Sequence, residues 1–437
     1  MSDHATIEIY RGGRWQPAGK LTPEDPRRGY RGATRYEYLL DYAVDNVEPG
    51  TMEAAGVSCR YPVDFDLHRA DHWPAFVLDI LPSGYGRRQW LEYLELADGP
   101  NADWPLLLRG TAFPPGNLRV AEAVAAKDLD TPVPTADGSL VAMRRHPGFS
   151  RQAVLERGEA FVEYAYQHSI YAAGGSDVQG VAPKLLLAQD HEGAWHAEGR
   201  LGDEEVLAHW LVKRPRGNTE ADRKVLRNEA AYMRVAEVLG LRVHGDLIWE
   251  HDCLFVPRFD RVMRRGRLER LGMESLASLA NVAEYGARIP HDTLCDAILR
   301  YCTEPRRELL EYIKRDILNV VLGNKDNHAR NTAVLRKEDG SVSLSPMFDF
   351  APMYLDPEGI ARVCRWDGDA ERAGIPDWAL VLARYREHLE DPERQLREFG
   401  QQISRLADTM RSAGIDDDII EHQARSIDQH ADQLLRL

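Results

Sequence analysis

The sequence predicts an α+β protein in two parts, a small β-rich N-terminal domain and a two-lobed body in which strands come first and helices later. Three observations predict this. Short alternating runs and glycine turns dominate the first stretch. Residues 127–140 (KDLDTPVPTADGSL) mix two prolines, a glycine and several acids without any period, which marks a linker. Beyond Leu294 the apolar positions recur mostly at helical spacing. The expected units are a domain at 1–126, a linker at 127–140, a strand-containing part at 141–262 and a helical part at 263–437.

The elements follow in order. TIEIY (6–10) alternates, Gly12-Gly13 turns the chain, and Trp15 to Leu21 continues as a second strand. Residues 33–44 read as a strand entering a helix. Trp73 to Leu96 reads as a helix, a Pro-Ser-Gly turn and a second helix near Tyr85, whereas Leu106–Leu108 and Leu118–Ala121 are short apolar pieces. After the linker, Ala153 to Tyr171 is an expected helix. Val181–Ala188 and His209–Lys213 are expected paired strands around a turn at His191–Gly193. Asn228 to Leu241 is a strongly periodic helix closed by Gly240, and DLIWE and CLFVPRF follow as strands.

Composition narrows the function classes. With 43% hydrophobic and 29% charged residues the chain is ordinary globular material. Lys+Arg 55 against Asp+Glu 70 gives a net charge of -15, which disfavours non-specific phosphate-backbone binding. The five cysteines are scattered and form no CxxC pair, so neither a disulfide framework nor a zinc ribbon is expected. The first residues show no signal pattern and no run approaches a membrane span of ~20 apolar residues. A cytoplasmic protein without a membrane partner is expected.

The chemistry concentrates between Glu308 and Met353. A helix over ELLEYIKRDILNVVLG is stopped by Gly323. A polar loop, NKDNHARN (324–331), comes next, and then a hairpin turning at Asp339-Gly340 whose second strand runs into Met347-Phe348-Asp349-Phe350. Asp326 and Asn331 therefore share a loop to which the hairpin returns Asp349. Phosphoryl transfer from ATP needs one carboxylate to orient and deprotonate the acceptor hydroxyl. It also needs an amide oxygen and a second carboxylate to hold magnesium. Asp326, Asn331 and Asp349 fit those roles in order, although each alone also suits a turn or cap.

NKDNHARN with its hairpin and FDFAPM resembles the catalytic and metal loops of the HipA-like serine/threonine kinase toxins of type II toxin–antitoxin modules. FVPRFDR (255–261) resembles that family's hinge, GMESLASL (272–279) the segment after it, and NEAAYMRVAEVLGLRV (228–243) the lobe helix before it. QGVAPKLLL (179–187) resembles its glycine-containing loop and following strand. GRWQPAGKL, YEYLLDYA and ILPSGYGRR resemble its N-terminal domain.

This resemblance implies a protein-kinase-like two-lobed fold with a mostly helical C-terminal lobe. It implies ATP and Mg2+ as cofactors, Asp326 as catalytic base, and Asn331 and Asp349 as magnesium ligands. Lys213, Gly180 and Lys184 would face the phosphates, Val256, Arg258 and Phe259 the adenine, and His328 and Arg330 belong to the same loop pattern. Glu229 is a possible partner of Lys213, or a first-turn acid complementing a helix dipole. Ser176 is the candidate for autophosphorylation, which adds roughly -2 charge beside the ATP phosphates. Ala182-Pro183 before Lys184 departs from the family pattern, and Gln179 stands earlier than expected. The implied partners are a helix-turn-helix antitoxin and a protein substrate of the aminoacyl-tRNA synthetase kind, with nucleic acid met only through the antitoxin. Two other readings stay open at this stage, a small-molecule kinase of aminoglycoside-phosphotransferase type and a non-catalytic antitoxin-binding module.

Overall fold

The computed structural model describes residues 2–126, 132–168, 183–264, 266–357 and 359–437. Three hydrophobic cores organise them: one in the N-terminal unit, one on the outer face of a central sheet, and a large one among the C-terminal helices.

In the N-terminal unit, Ala5–Arg11 and Arg14–Pro23 form the expected hairpin, turned by Gly12 and Gly13 at φ 61° and 79°. That positive φ at both central residues is what a tight hairpin turn requires. Thr34–Tyr38 and His68–Ala70 extend the antiparallel sheet on one side, and Leu118–Val120 closes it on the other. The unit is less β-rich than predicted. Helices at Leu40–Asn46, Val77–Ile80, Gly84–Tyr93, Pro100–Gly110 and Ala121–Ala125 cover the sheet, and Trp73, Trp104, Leu106 and Leu107 are buried among them. The apolar triplet Leu106–Leu108 belongs to a helix that the internal Pro105 concealed.

The predicted linker is partly structured. Residues 127–131 lie outside the described set, but Pro132–Pro134 pairs with Leu140–Ala142 in a short hairpin. Its turn is tied by Asp137, which accepts from Thr135 and Ser139, and Val133 is buried in the second core. The helix expected over 153–171 is two, Arg151–Glu156 and Glu159–His168, separated where Arg157 takes φ 53°; residues 169–171 are outside the described set.

The central sheet is antiparallel in the order Ile248–Glu250, Cys253–Pro257, Val206–Lys213, Lys184–Asp190, Trp195–Ala197. Period-2 alternation gives it two uses. Leu185, Leu187, Val212, Cys253 and Phe255 enter the core under the paired helices. Lys184, Leu186, Leu211, Lys213 and Val256 line the opposite face.

Helix Glu220–Val238 packs beside this sheet and begins eight residues before the expected Asn228, at a capping box in which Thr219 and Asp222 satisfy each other's backbone amides. Behind it, Pro305–Val321 is surrounded by His291–Tyr301, Trp378–Tyr385, Pro392–Ile403, Leu406–Ala413 and Asp417–Leu435. The predicted hairpin forms between Ala333–Arg336 and Val342–Leu344, with Gly272–Ser275 added as a third strand. A charged hairpin, Arg261–Arg264 with Arg267–Arg270, was not anticipated. All five cysteines are free thiols, four of them buried. No helix among the described residues is long and apolar enough to cross a membrane.

Candidate active site

A cleft of about 1190 Å³ opens between the inner face of the central sheet and the hairpin–loop region. Register explains its charged end. Lys213 ends one strand directly opposite Lys184, which starts its neighbour, so two ammonium groups share one face. Like charges placed so are destabilising unless an anion lies between them. Asp349 is that anion: Lys213 donates to Oδ1, and Lys184 donates to Oδ2 at 3.2 Å. Glu229 completes the group by accepting from the Lys213 ammonium at 2.6 Å.

Of the two roles open to Glu229, the pairing with Lys213 is the one observed. The helix starts early enough to put Glu229 in its third turn, buried, where a helix-terminus role has no meaning. Burial pushes the Glu229 carboxyl up, and Lys213 offsets this only in part. For Asp349 burial also opposes ionisation, but the two lysines overcome it and hold the carboxyl well below the ordinary range. Lys213 is raised in turn: burial disfavours its charge and the two carboxylates prevail.

Asp349 also adopts φ 52°, left-handed for a residue with a Cβ. Its neighbours hold it there. Phe350 is fully buried against Tyr232, Phe348 stacks at a tilt on Phe259, and Asn324 donates to the Asp349 carbonyl at 3.4 Å.

The loop 324–331 leaves the C-terminus of Pro305–Val321 at Gly323, where φ is 69°. It is folded on itself: His328 N–H donates to Asp326 O, Asn331 N–H to His328 O, and Asn331 Nδ2 to Asp326 O at 2.8 Å. With its amide nitrogen spent, Asn331 presents an Oδ1 that is buried and has no hydrogen-bond partner among the described residues. Asp326 lines a second opening together with Lys184, Lys213 and Asp349, and burial raises its carboxyl above the ordinary value.

Asn327 anchors the loop from below, donating at 3.0 Å to the buried carboxylate of Asp316 on the preceding helix. Asp316 also accepts from Arg362 and Trp366. These anchors were not singled out in the sequence; the only signal was an acid within an otherwise apolar helix face.

Other predicted residues take different places. His328 lines neither opening; its Nδ1 accepts from the Arg330 amide at 3.2 Å and its Nε2 lies 3.9 Å from Asp326, so it braces the loop. Arg330 reaches the cleft wall, but its guanidinium donates to Asp79 of the N-terminal unit at 2.5 Å and stacks over Tyr285, so its charge is already countered. In the hinge, Val256, Arg258 and Phe259 line the cleft. The Arg258 N–H is already used, because pairing runs one residue past the strand and it donates to His209 O at 3.0 Å. Its side chain is bound to Asp260 and Glu198 in the interior. Phe259 N–H is the hinge donor without an acceptor among the described residues. Gly180 and Ser176 lie outside the described residues.

Comparison with known proteins agrees with the motif reading. The model of the HipA-like C-terminal domain family matches residues 176–430, more than half of the chain. The chain belongs to the HipA-like family. Among solved structures, the HipA chain of the Shewanella oneidensis MR-1 toxin–antitoxin complex of HipA, HipB and operator DNA superposes with a TM-score of 0.63 at 17% identity, covering 99% of this chain and 96% of that one. The Helicobacter pylori proinflammatory kinase CtkA matches with a TM-score of 0.39 at 14% identity, over 60% of this chain and 92% of that one. No curated protein sequence matches this chain. The HipA likeness spans both the N-terminal unit and the body, so the HipA fold covers nearly the whole chain.

Proposed function

We propose that this HipA-like protein is an ATP-dependent serine/threonine protein kinase that acts as the toxin of a toxin–antitoxin pair. The observation that carries the reading is the convergence of Lys213, Lys184 and Asp349 where the cleft meets the second opening, which holds Asp326, with the buried free Oδ1 of Asn331 in the same loop as Asp326. Lysines at the lip of an antiparallel sheet, one of them gripped by a helix glutamate, suit the phosphates of a nucleotide. The apolar end of the cleft, with Leu186, Leu211, Val256 and Phe259, suits adenine, and the Phe259 N–H supplies a donor there.

The donor set fits magnesium. Asn331 Oδ1 and the Asp349 carboxylate are hard oxygens, few enough to leave the remaining positions to water and phosphate. They would hold the ion, which when bound neutralises phosphate charge. Asp326, its carboxyl raised toward neutrality by burial, receives the proton of a serine or threonine hydroxyl as that oxygen bonds to the γ-phosphorus. The bond from the γ-phosphorus to the β,γ-bridging oxygen breaks, and ADP leaves.

The HipA–HipB–DNA complex supports an antitoxin as partner, proposed here to be of the helix-turn-helix kind. A net charge of -15 supports leaving DNA contact to that partner. The substrate class proposed is a cellular protein of the aminoacyl-tRNA synthetase kind, and Ser176 is the proposed self-modification site. Incubation with γ-labelled ATP and a cell extract tests the reading: label is expected on protein and to be absent when Asp326→Asn replaces the wild type. Label accumulating on low-molecular-weight compounds would transfer the assignment to a small-molecule kinase.

A further inference from the structure

Far from the cleft in sequence, the motif PSGYGRR (82–88) opens a further pocket that the phosphotransfer chemistry does not use. Two helices point their N-termini into it. Helix Gly84–Tyr93 starts after Ser83, and helix Pro100–Gly110 starts after Gly99; neither has a side-chain cap. The first end offers its leading amides and their partial positive charge, whereas at the second Pro100 has no N–H and the Ala102 amide donates to Gly99 O, leaving chiefly the dipole.

Ser83 stands where a capping serine belongs, and Ser150, Thr219 and Ser275 do cap their helices. Its own hydroxyl makes no hydrogen bond among the described residues although the residue is only 9% exposed, and it lines the pocket. Its Oγ opens on the pocket and is free to bond a ligand that enters it.

Charge points the same way. Arg87 is spent as a tie between the two helices, donating to Asp103 at 2.7 Å, Asp98 at 2.9 Å and Gly99 O at 3.1 Å. Arg87 offsets one of those two carboxylate charges, and the pocket's remaining arginines, Arg28, Arg31 and Arg88, outnumber the other. Arg28 and Arg88, both exposed at the rim, are in no ion pair among the described residues, and Arg31 has only a 3.5 Å contact to Glu284. A chain of net charge -15 thus keeps a locally positive pocket with two helix dipoles and a free hydroxyl.

We infer that this pocket binds a phosphomonoester dianion, held by Ser83 and the helix amides and countered by Arg28 and Arg88. The compact double charge of a monoester suits a concave site bounded by two helix ends. A polyanionic duplex would meet the acidic remainder of the surface. The source is either a free phosphorylated small molecule or a phosphorylated side chain of another protein.

Calorimetric titration of the full chain, without nucleotide, with inorganic phosphate and with a phosphoserine peptide tests this independently of kinase activity. Saturable binding is expected, weakened at least tenfold in Arg28→Ala/Arg88→Ala and kept within about threefold in Arg28→Lys/Arg88→Lys. Both positions are exposed, so thermal midpoints should be unchanged. Peptide binding ten times tighter than phosphate identifies a protein source; equal affinities identify a free phosphate compound. Absence of saturable binding, equal affinity in the alanine variant, or duplex DNA that phosphate fails to displace overturns the assignment.

Discussion

At the scale of single residues, the site rests on how burial and charge divide the carboxylates. Asp349 is held ionised by two lysines, whereas Asp326 has its carboxyl raised by burial beyond what His328 offsets. Their linkage to stability has opposite signs. Asp349 stabilises the fold above the unfolded carboxylate value of about 3.9, and that contribution is lost as pH falls through its depressed value. The Asp326 contribution is complete below about 3.9 and is lost as pH rises through its raised value. At neutral pH Asp326→Asn should therefore leave stability equal or higher while lowering phosphotransfer about 10²- to 10⁴-fold. Thermal melts beside kinetics check both. The acid limb of the wild-type rate profile should lie above the ordinary aspartate range. Lys213→Met should behave differently: two buried carboxylates lose their shared cation, at a cost of about 3–5 kcal/mol in equilibrium denaturation, with activity lost as well.

At the scale of elements, the central strands were legible as short apolar runs bounded by turn residues: KLLLA and HWLVK are apolar on both faces, one against the core and one lining the cleft. The loop–hairpin–Asp349 arrangement was legible because Gly323 and Asp339-Gly340 punctuate it. Helix Glu220–Val238 was found late, since its first turns, EADRKVLR, are dense in charge and show little apolar period. That delay hid the buried position of Glu229. The hairpin Arg261–Arg270 was missed because its charged residues look like a solvated loop, although Arg261 and Arg270 bind Glu198 in the interior. Asp316 belongs to this scale, joining Asn327 of the loop to Arg362 and Trp366. Asp316→Ala should leave Arg362 unpaired at this end and release the loop, with stability lower by about 3–5 kcal/mol in urea denaturation.

At the scale of the molecule, the N-terminal unit is fastened to the body by polar contacts between residues 196 to 280 positions apart. Asp79 receives Ser275 and Arg330, Glu274 receives Ser58 and the Cys59 amide, and Arg336 donates to the carbonyls of Gly56 and Val57. No local pattern announces such pairs, and Arg330 was accordingly read only as part of the catalytic-loop pattern. Through Asp79 and Arg330 the N-terminal unit touches the catalytic loop itself. Asp79→Ala should strand a buried guanidinium, lower stability by about 3 kcal/mol in denaturant unfolding, and reduce activity without altering the loop's own residues. The central claim, phosphotransfer by Asp326 in a cleft organised around Asp349, is tested most directly by transfer from γ-labelled ATP to protein using wild type, Asp326→Asn and Asp349→Asn, each shown folded by circular dichroism. The account predicts labelled protein with the wild type and at least a hundredfold less with either folded variant. Equal labelling by the wild type and Asp326→Asn would contradict it.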